Sequence, residues 1–435
     1  MIKILKKTSF VLLLFSLNLI SANINAKTVK VNSVAGLTEA VNNAKAGDRI
    51  IVANGRYELN EPIIIKVQGT EKDPLFIQAA NTGAAEISGS AGFQIASGSR
   101  YVVIQGFVFT HKSGKFRIET DATHCLITRN IFECVPDGSK GSKPYLNISG
   151  DDNEISYNEF RNKKDEGQMI SVQGPGGDKM AKHVLISHNY FHDFPNIGLN
   201  NCSAIQIGLS GRSMDSAFCV VEYNLFERTE GENEGAICHK SCSNTIRFNT
   251  FGERSEECSI RHGNKSRVYG NFFINTTGLR FSGDDHLIFG NYFLNCSKAI
   301  VCQNGDGEVK DGSKLTCHDR ADRVEVSGNA IIDCKMTYQM PSRENGLGAT
   351  NIAFKGNLIR GGAPVSVKGL YPGAVWNNNI VWNTTGGDMP GSGFKAMDSK
   401  ISKPGGFNNQ DFPGYPEIPS SNRPLTPDEV GPGAK

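Results

Sequence analysis

Ile127-Thr128-Arg129-Asn130-Ile131-Phe132 is the first clear copy of a pattern that runs through most of the chain. An aliphatic or aromatic residue is followed by two variable residues, Asn, one variable residue, then Phe, Ile or Val. The Asn recurs at Asn130, Asn158, Asn189, Asn224, Asn249, Asn271, Asn291, Asn329, Asn357 and Asn378. The shortest separations are 20 residues (Asn271 to Asn291), 21 (Asn357 to Asn378) and 22 (Asn249 to Asn271); the longer ones leave room for loops inserted in single turns. A period near twenty, with short alternating β segments and no long helical rhythm, predicts an all-β, single-domain parallel β-helix. The Asn suits a tight turn in left-handed backbone. Its amide both donates and accepts, so a column of Asn, one per coil, satisfies buried polar groups that would otherwise cost about 1–3 kcal/mol each. A β-propeller or leucine-rich solenoid does not explain Asn-x-Phe at this period, and neither Trp-Asp nor Leu-x-x-Leu repeats occur.

Outward from this core, Ser33 to Ala44 has helical spacing (Val34, Leu37, Ala40, Val41, Ala44) and precedes the strand Arg49-Ile50-Ile51-Val52. It predicts a short N-terminal capping helix over the open end of the solenoid. Ahead of it, Lys3, Lys6 and Lys7 lead into the apolar run Phe10–Ile20, and Ile24-Asn25-Ala26 suits cleavage. The run is too short to span a bilayer. Residues 1–26 therefore read as a signal peptide, with a secreted or periplasmic mature protein starting near Lys27. The β-helix catalytic domain is expected over 27–382. Beyond Trp382, residues 383–435 are rich in Gly, Pro, Asn and Asp and read as an irregular tail packed on the helix. No linker separates a second domain.

The formal charge is +2, from 46 Lys+Arg against 44 Asp+Glu, so any basic site must be local and a nucleic-acid partner is not expected. A mature form off the membrane, and monomeric, is expected. Eleven Cys is an odd number. Cys302 and Cys317 flank a Gly/Asp-rich loop and are candidates to close it; most others sit beside apolar residues and read as buried free thiols. Cys238 and Cys242 lack the second pair that a zinc site needs.

Lys240 lies 9 residues before Asn249, Arg261 lies 10 before Asn271, and Arg280 lies 11 before Asn291. Similar phases on consecutive coils predict a stack of cations on one face, at about 5 Å per coil. His239 and His262 adjoin two of them. A local cationic groove on a neutral protein suits an anionic polysaccharide and, in chemistry, β-elimination from a uronate. There the carboxylate must be neutralised so that the enolate-like intermediate is stabilised. A base must take the C5 proton and an acid must protonate O4. A lysine amine is a base only when neutral, a state that neighbouring cations favour. An Arg can hold the carboxylate bidentately or support the leaving oxygen. Upstream, Glu232 and Glu234 are one residue apart, so on a strand they point the same way. With Asn201 or Asn200 they are candidate oxygen ligands for Ca²⁺. An acidic solvated turn is the alternative, since Glu227 and Glu230 cluster there too. EF-hand spacing, phosphate loops, His-Glu-x-x-His and Gly-x-Ser-x-Gly are absent.

The segment Asn224 to Phe273 carries Glu232-Asn233-Glu234, His239-Lys240-Ser241, Arg261-His262-Gly263-Asn264 and Gly270-Asn271-Phe272-Phe273. It resembles the core of polysaccharide lyase family 6, which includes alginate lyases and chondroitinase B, and the likeness runs from about Val29 to Gly431-Pro432. Lys-Ser followed by Arg-His-Gly, with 21 residues from Lys240 to Arg261, is its most specific element. The resemblance implies a right-handed parallel β-helix and metal-assisted or metal-free β-elimination. It places the catalytic base on Lys240, the catalytic Arg on Arg261 and an active-site His on His262. Arg280 takes the place of a substrate-binding Arg. Two departures stand out. The family's Lys follows its second metal-binding Glu at the fifth position, whereas here His239 holds that place and Lys240 is sixth from Glu234. Where the family often has Glu then Ile-Arg-Ile-Gly, this chain has Ser203-Ala204-Ile205-Gln206-Ile207-Gly208. Both point to an altered subsite, with Gln206 and His239 as substrate-binding candidates and His262 or His239 helping to neutralise the carboxylate if no metal does. Alginate is the expected substrate. A chondroitin or dermatan sulfate lyase is the alternative, and a glycoside hydrolase, which needs paired carboxylates such as Asp284-Asp285, comes after it.

Overall fold

The computed structural model describes residues 26–199, 201–231, 235–310, 313–339, 347–362, 373–384, 390–398 and 413–435. The expected signal peptide, 1–26, lies outside them except for its last residue. Among the described residues the strands form three parallel sheets of 14, 14 and 11 strands, each ordered along the chain. One coil shows the plan. Leu126–Thr128 lies in the first sheet, Ile131–Phe132 in the second and Leu146–Ile148 in the third. Glu154–Ser156 then returns to the first sheet directly against Leu126–Thr128, with Ile127 opposite Ile155. This is the predicted parallel β-helix. Each coil is too thin to bury its own apolar face, so the stack forms one continuous core from Val31 to Ile359.

The recurring Asn does what its chemistry requires. Asn224 donates its backbone N–H and its side-chain Nδ2–H to Oδ1 of Asn249, both at 3.0 Å. Its Nδ2 also donates to the Ile186 carbonyl one coil away, at 2.9 Å. The same bonding runs from Asn130 to Asn357. The last rung is Asn379, not Asn378 as the spacing suggests: Asn357 bonds Oδ1 of Asn379, while Asn378 takes the preceding turn position with φ 54°. Two residues after each Asn from Asn130 to Asn291, Phe rings stack through the interior. Phe132, Phe160, Phe191, Phe226, Phe251, Phe273 and Phe293 follow at 4.6–5.0 Å with nearly parallel planes.

The capping helix is Val34–Asn42, with Ser33 accepting the Gly36 N–H at 3.1 Å and Leu37 and Val41 buried. At the other end, Phe394–Ala396 pairs with the strand Asn379–Trp382, so the coil stack runs one strand past the expected limit at Trp382. The described end of the tail, 413–435, then returns along the outside. Tyr415 meets Ser327, Asn422 bonds the Gly270 carbonyl, and Leu425 N–H bonds Thr250. Arg129 reaches the Pro432 and Ala434 carbonyls. No disulfide joins any two of the eleven Cys, and ten of them are buried. The candidate pair Cys302 and Cys317 does not form, because Cys302 points into the core while Cys317 lies in the loop against Gly307.

Candidate active site

The third sheet carries the chemistry-bearing residues. In its strands Ile237–Lys240 and Cys258–His262, alternate side chains face the core: Ile237, Cys258 and Ile260 are buried there. Cys238 and Ser259 point the other way, in register with Gln206 before them and Arg280 after. The two strands then slip. Ile260 is opposite His239, but His262 is opposite Lys240, so Arg261 is an extra residue at a β-bulge. Such a bulge puts two residues against one and re-aims their side chains. Here it gathers Lys240, Arg261 and His262 at one point of the sheet.

The site is sheltered, with Lys240 6% and His262 4% exposed. Burial pushes the His262 imidazole down to about 3, helped by His318 and by the nearby charges of Arg261 and Lys240. It is therefore a neutral ring at ordinary pH. Its Nδ1 is buried without a hydrogen-bond partner. Two glycines let the backbone close beneath it: a Cβ on Gly208 (φ +90°) would sit 2.0 Å from the Lys240 carbonyl oxygen, and one on Gly263 (φ +90°) would sit 2.3 Å from that of Ser241. Any side chain at either position would push the strand away.

His239 departs from its expected place. It is fully buried on the core side. Asn244, whose Oδ1 accepts the Cys219 N–H, donates its Nδ2–H to His239 Nε2 at 2.8 Å. Ser266 Oγ lies 3.2 Å from the same nitrogen. Burial holds this imidazole at about 3. Strand parity explains the outcome: if Cys238 faces out, its neighbour faces in. His239 thus faces the core, away from the outward column of Gln206 and Cys238.

Arg280 also departs from the predicted single column. It stands over Ser259 and Cys238, two positions short of Lys240, because it lies 11 residues before its ladder Asn where Lys240 lies 9 before its own. Its guanidinium bonds Ser259 Oγ at 2.9 Å and pairs with Glu257 at 2.7 Å. Gln206 is on the same outward column but 2% exposed, accepting from Gln168 at 3.1 Å and donating to the Gly208 carbonyl at 3.0 Å. Of the candidate metal ligands, Glu232 and Glu234 lie outside the described residues. Asn201 is exposed and its carbonyl accepts from Gln168 at 2.7 Å. The following coil stacks closely on its neighbour Cys202, since a Cβ on Gly231 would sit 2.2 Å from the Cys202 carbonyl oxygen. Among the described residues no three His, Cys, Asp or Glu side chains converge as a metal site.

His318 was not legible beforehand. Its ring lies over that of His262, with centroids 5.0 Å apart and planes 26° from parallel. It belongs to an inserted loop with no phase in the repeat. Asp284 and Asp285 are both tied to Arg323, at 3.1 and 2.8 Å. Burial and the neighbouring Asp319 push Asp284 up to about 7 against the pull of Arg323.

The sequence profile of the chondroitinase B family matches residues 31–366. None of the curated proteins matches the chain. Among solved structures, a mannuronic acid specific polysaccharide family 6 lyase from human gut microbiota superposes with a TM-score of 0.77 at 24% identity, covering 86% of this chain and 92% of that one. The family 6 alginate lyase AlyGC gives 0.77 at 23% identity over 93% of this chain, which spans 58% of AlyGC. The family 6 lyase Pedsa3628 from Pseudopedobacter saltans gives 0.69 at 19% identity, covering 94% of this chain and 99% of that one. At such identities the structural likeness is one of fold.

Proposed function

Because the chain belongs to the chondroitinase B family, within polysaccharide lyase family 6, it is a polysaccharide lyase, and we propose that it cleaves alginate by β-elimination to unsaturated oligosaccharides. The observation that carries this reading is the meeting of Lys240, Arg261 and His262 at the bulge. Lys240 is the base that takes the C5 proton on its side-chain nitrogen. Arg261 faces the carboxylate with a two-pronged donor set, which stabilises the charge that develops as C5 loses its proton. His262, a neutral imidazole in a sheltered site, contributes a hydrogen bond rather than a charge. The C5–H electron pair becomes the C4=C5 bond, the C4–O4 pair leaves with oxygen, and O4 ends protonated. Net, one proton moves from C5 to O4. Arg280 binds a neighbouring sugar, and Gln206 shapes the floor of that subsite.

Asn201, Glu232 and Glu234 would hold a Ca²⁺; an all-oxygen donor set suits a hard cation. Bound there, it would add positive charge at the carboxylate. Export of a monomeric mature protein to the periplasm or medium, where the polymer is met, completes the proposal. The preference for alginate rests on proteins of the same fold that are alginate or mannuronic acid lyases. A chondroitin or dermatan sulfate lyase is the second reading, favoured by the family's own name. Hydrolysis is disfavoured because the tempting pair Asp284 and Asp285 is engaged by Arg323.

The test is ultraviolet absorbance during parallel incubation with alginate, dermatan sulfate, chondroitin and pectate. A rise with alginate alone supports the proposal, since elimination makes the C4=C5 chromophore. A rise with a sulfated polymer replaces the substrate. Reducing ends without absorbance overturn the Lys240 chemistry.

A further inference from the structure

The connection between the third-sheet strand Ile300–Cys302 and the first-sheet strand Glu325–Ser327 is an arm, with 311–312 outside the described residues. Its two limbs are laced together. Asp306 N–H bonds the His318 carbonyl at 2.8 Å, Val309 N–H bonds Asp319 Oδ1 at 2.8 Å, and Arg320 N–H bonds the Gly307 carbonyl at 3.1 Å. Far from its root, Ser313, Lys314 and Leu315 line a recess together with Asp178, Lys179, Arg212 and Asp215. Those partners follow the third-sheet strands Ile170–Val172 and Ile205–Ile207. In sheet order, the strands of Arg280, Arg261 and Lys240 lie between the root of the arm and this recess. The arm therefore runs along the helix axis past the reactive coils, over five strand spacings or about 24 Å, and it carries His318 onto His262.

We propose that His318 is a positioning residue of the active site: the arm presses its imidazole against His262 and so fixes the plane in which His262 offers its N–H to the substrate. The inference rests on the lyase reading above. The need for such a device follows from His262 itself. Its Nδ1 is buried with no hydrogen-bond partner, so no bond at that nitrogen sets the rotation of the ring. Active-site imidazoles are commonly oriented by a bond at the nitrogen that does not do the chemistry. Here a stacked ring takes that part, at a centroid distance within the range of favourable aromatic pairs. It also accounts for an otherwise idle feature, an inserted loop folded back over coils to which it is not adjacent in sequence.

The experiment compares the full mature chain with His318→Ala and His318→Phe on the polymer that the wild type cleaves. Alanine removes the stack; phenylalanine keeps a flat ring and removes the nitrogens. We expect His318→Ala to lower kcat about tenfold or more with KM nearly unchanged, since a small misplacement of a catalytic group acts on the transition state. His318→Phe should recover to within about threefold of wild type, because stacking survives. The melting temperature should be the same in all three. An unchanged kcat in His318→Ala overturns the proposal. So does a His318→Phe variant as impaired as His318→Ala while equally folded, which would give His318 a proton-handling role instead. If His318→Ala melts early, the Phe variant alone decides, by kcat near wild type or far below it. A wild type that is active while both variants match it defeats only this inference; a wild type that produces no unsaturated product from any polymer defeats the lyase reading and this inference with it.

Discussion

The turn between the first and second sheets and the edge of the third sheet are built from the same coils, yet they behave as opposites. In the first, every coil is alike. The residue before each ladder Asn is left-handed, with φ between 53 and 64° from Arg129 and Tyr157 through Gly270 to Asn378. Even the side chains follow suit: Tyr157, His188, Tyr223 and Phe248 stack at 4.7–5.1 Å. No loop interrupts this turn, because an inserted residue would break two hydrogen bonds per rung. At the third sheet the repeat fails three times within a short span. A bulge adds Arg261, glycines at 208 and 263 draw strands together, and the arm of His318 leaves and returns. Repetition produces stability that needs no special residue, and the polar groups that chemistry needs collect where repetition is broken.

Removing Lys240 should separate the two regions most sharply. Lys240→Ala is expected to lower kcat/KM by about 10³-fold or more, the upper range for a lost general base, with no fall in melting temperature. Absorbance assays beside a thermal melt check it. If the variant is insoluble or melts early, Lys240 belongs to the scaffold and the opposition between the regions fails at its chief residue.

Asn249→Ala is the counterpart on the other side. It orphans the backbone N–H and the Nδ2–H of Asn224, both of which point at Asn249 Oδ1 at 3.0 Å. At about 1–3 kcal/mol for each of the two buried donors left unmade, the loss is about 2–6 kcal/mol. We expect a clearly lower melting temperature with kcat unchanged in whatever fraction stays folded. A kcat loss without a stability loss would mean that the ladder reaches the chemistry after all.

Acid should strain both regions, and the third sheet more. His239 and His262 are held at about 3, and His111, His188 and His286 at about 4, in each case chiefly by burial. A histidine depressed in the folded state binds its proton first in the unfolded chain. Its contribution is complete above an unfolded value of about 6.5 and is lost as pH falls toward 3–4. Asp284, pushed up to about 7, acts in the opposite sense: its share is present at low pH and fades as pH rises through neutrality. Glu256, Glu257 and His192, also raised, act with Asp284. Glu159, Asp193 and Asp322, held down by their partners, add to the five histidines, so the melting temperature should decline below pH 6.5. His239→Gln should flatten that decline if the substituted amide keeps the bonds to Asn244 and Ser266. A melting temperature flat from pH 7 to 4 would show that these rings are already protonated in the fold.

How far the sequence could be read follows the same division. The ladder turn admits few residue types, so Asn-x-Phe announced the solenoid, its coil order and its interior before any coordinates. Its one slip came at Asn377-Asn378-Asn379, where three identical residues hide which enters the ladder; the left-handed slot, filled by Gly356 one coil earlier, falls to Asn378 and settles it. Lys240, Arg261 and His262 were legible because they lie within a few residues of one another in phase. His239 was expected on the outer face, but strand parity turns it inward. His318 had no signal at all, since a loop's path across other coils is not written in any period.

Arg280 should show the smallest effect, and its size bears on where the site ends. The phase count placed it near Lys240 and Arg261, but strand pairing puts it in the column of Cys238 and Ser259, where it pairs with Glu257. Both side chains of that pair are largely shielded, 18% and 15% exposed, so Arg280→Ala leaves a carboxyl that burial already pushes up with less to hold it down. The expected cost in stability is therefore about 1–3 kcal/mol, larger than for a surface pair. In catalysis Arg280 should act on binding. KM should rise about tenfold, equivalent to about 1.4 kcal/mol, with kcat within about twofold, the mark of an interaction equally strong before and at the transition state. Arg280→Lys should restore the charge but not the fork that spans Ser259 and Glu257, and so recover stability poorly. If kcat falls as steeply in Arg280→Ala as in Lys240→Ala, the reactive set extends past the bulge onto the regular part of the sheet, and the line drawn between repeating scaffold and broken repeat has been placed one coil too early.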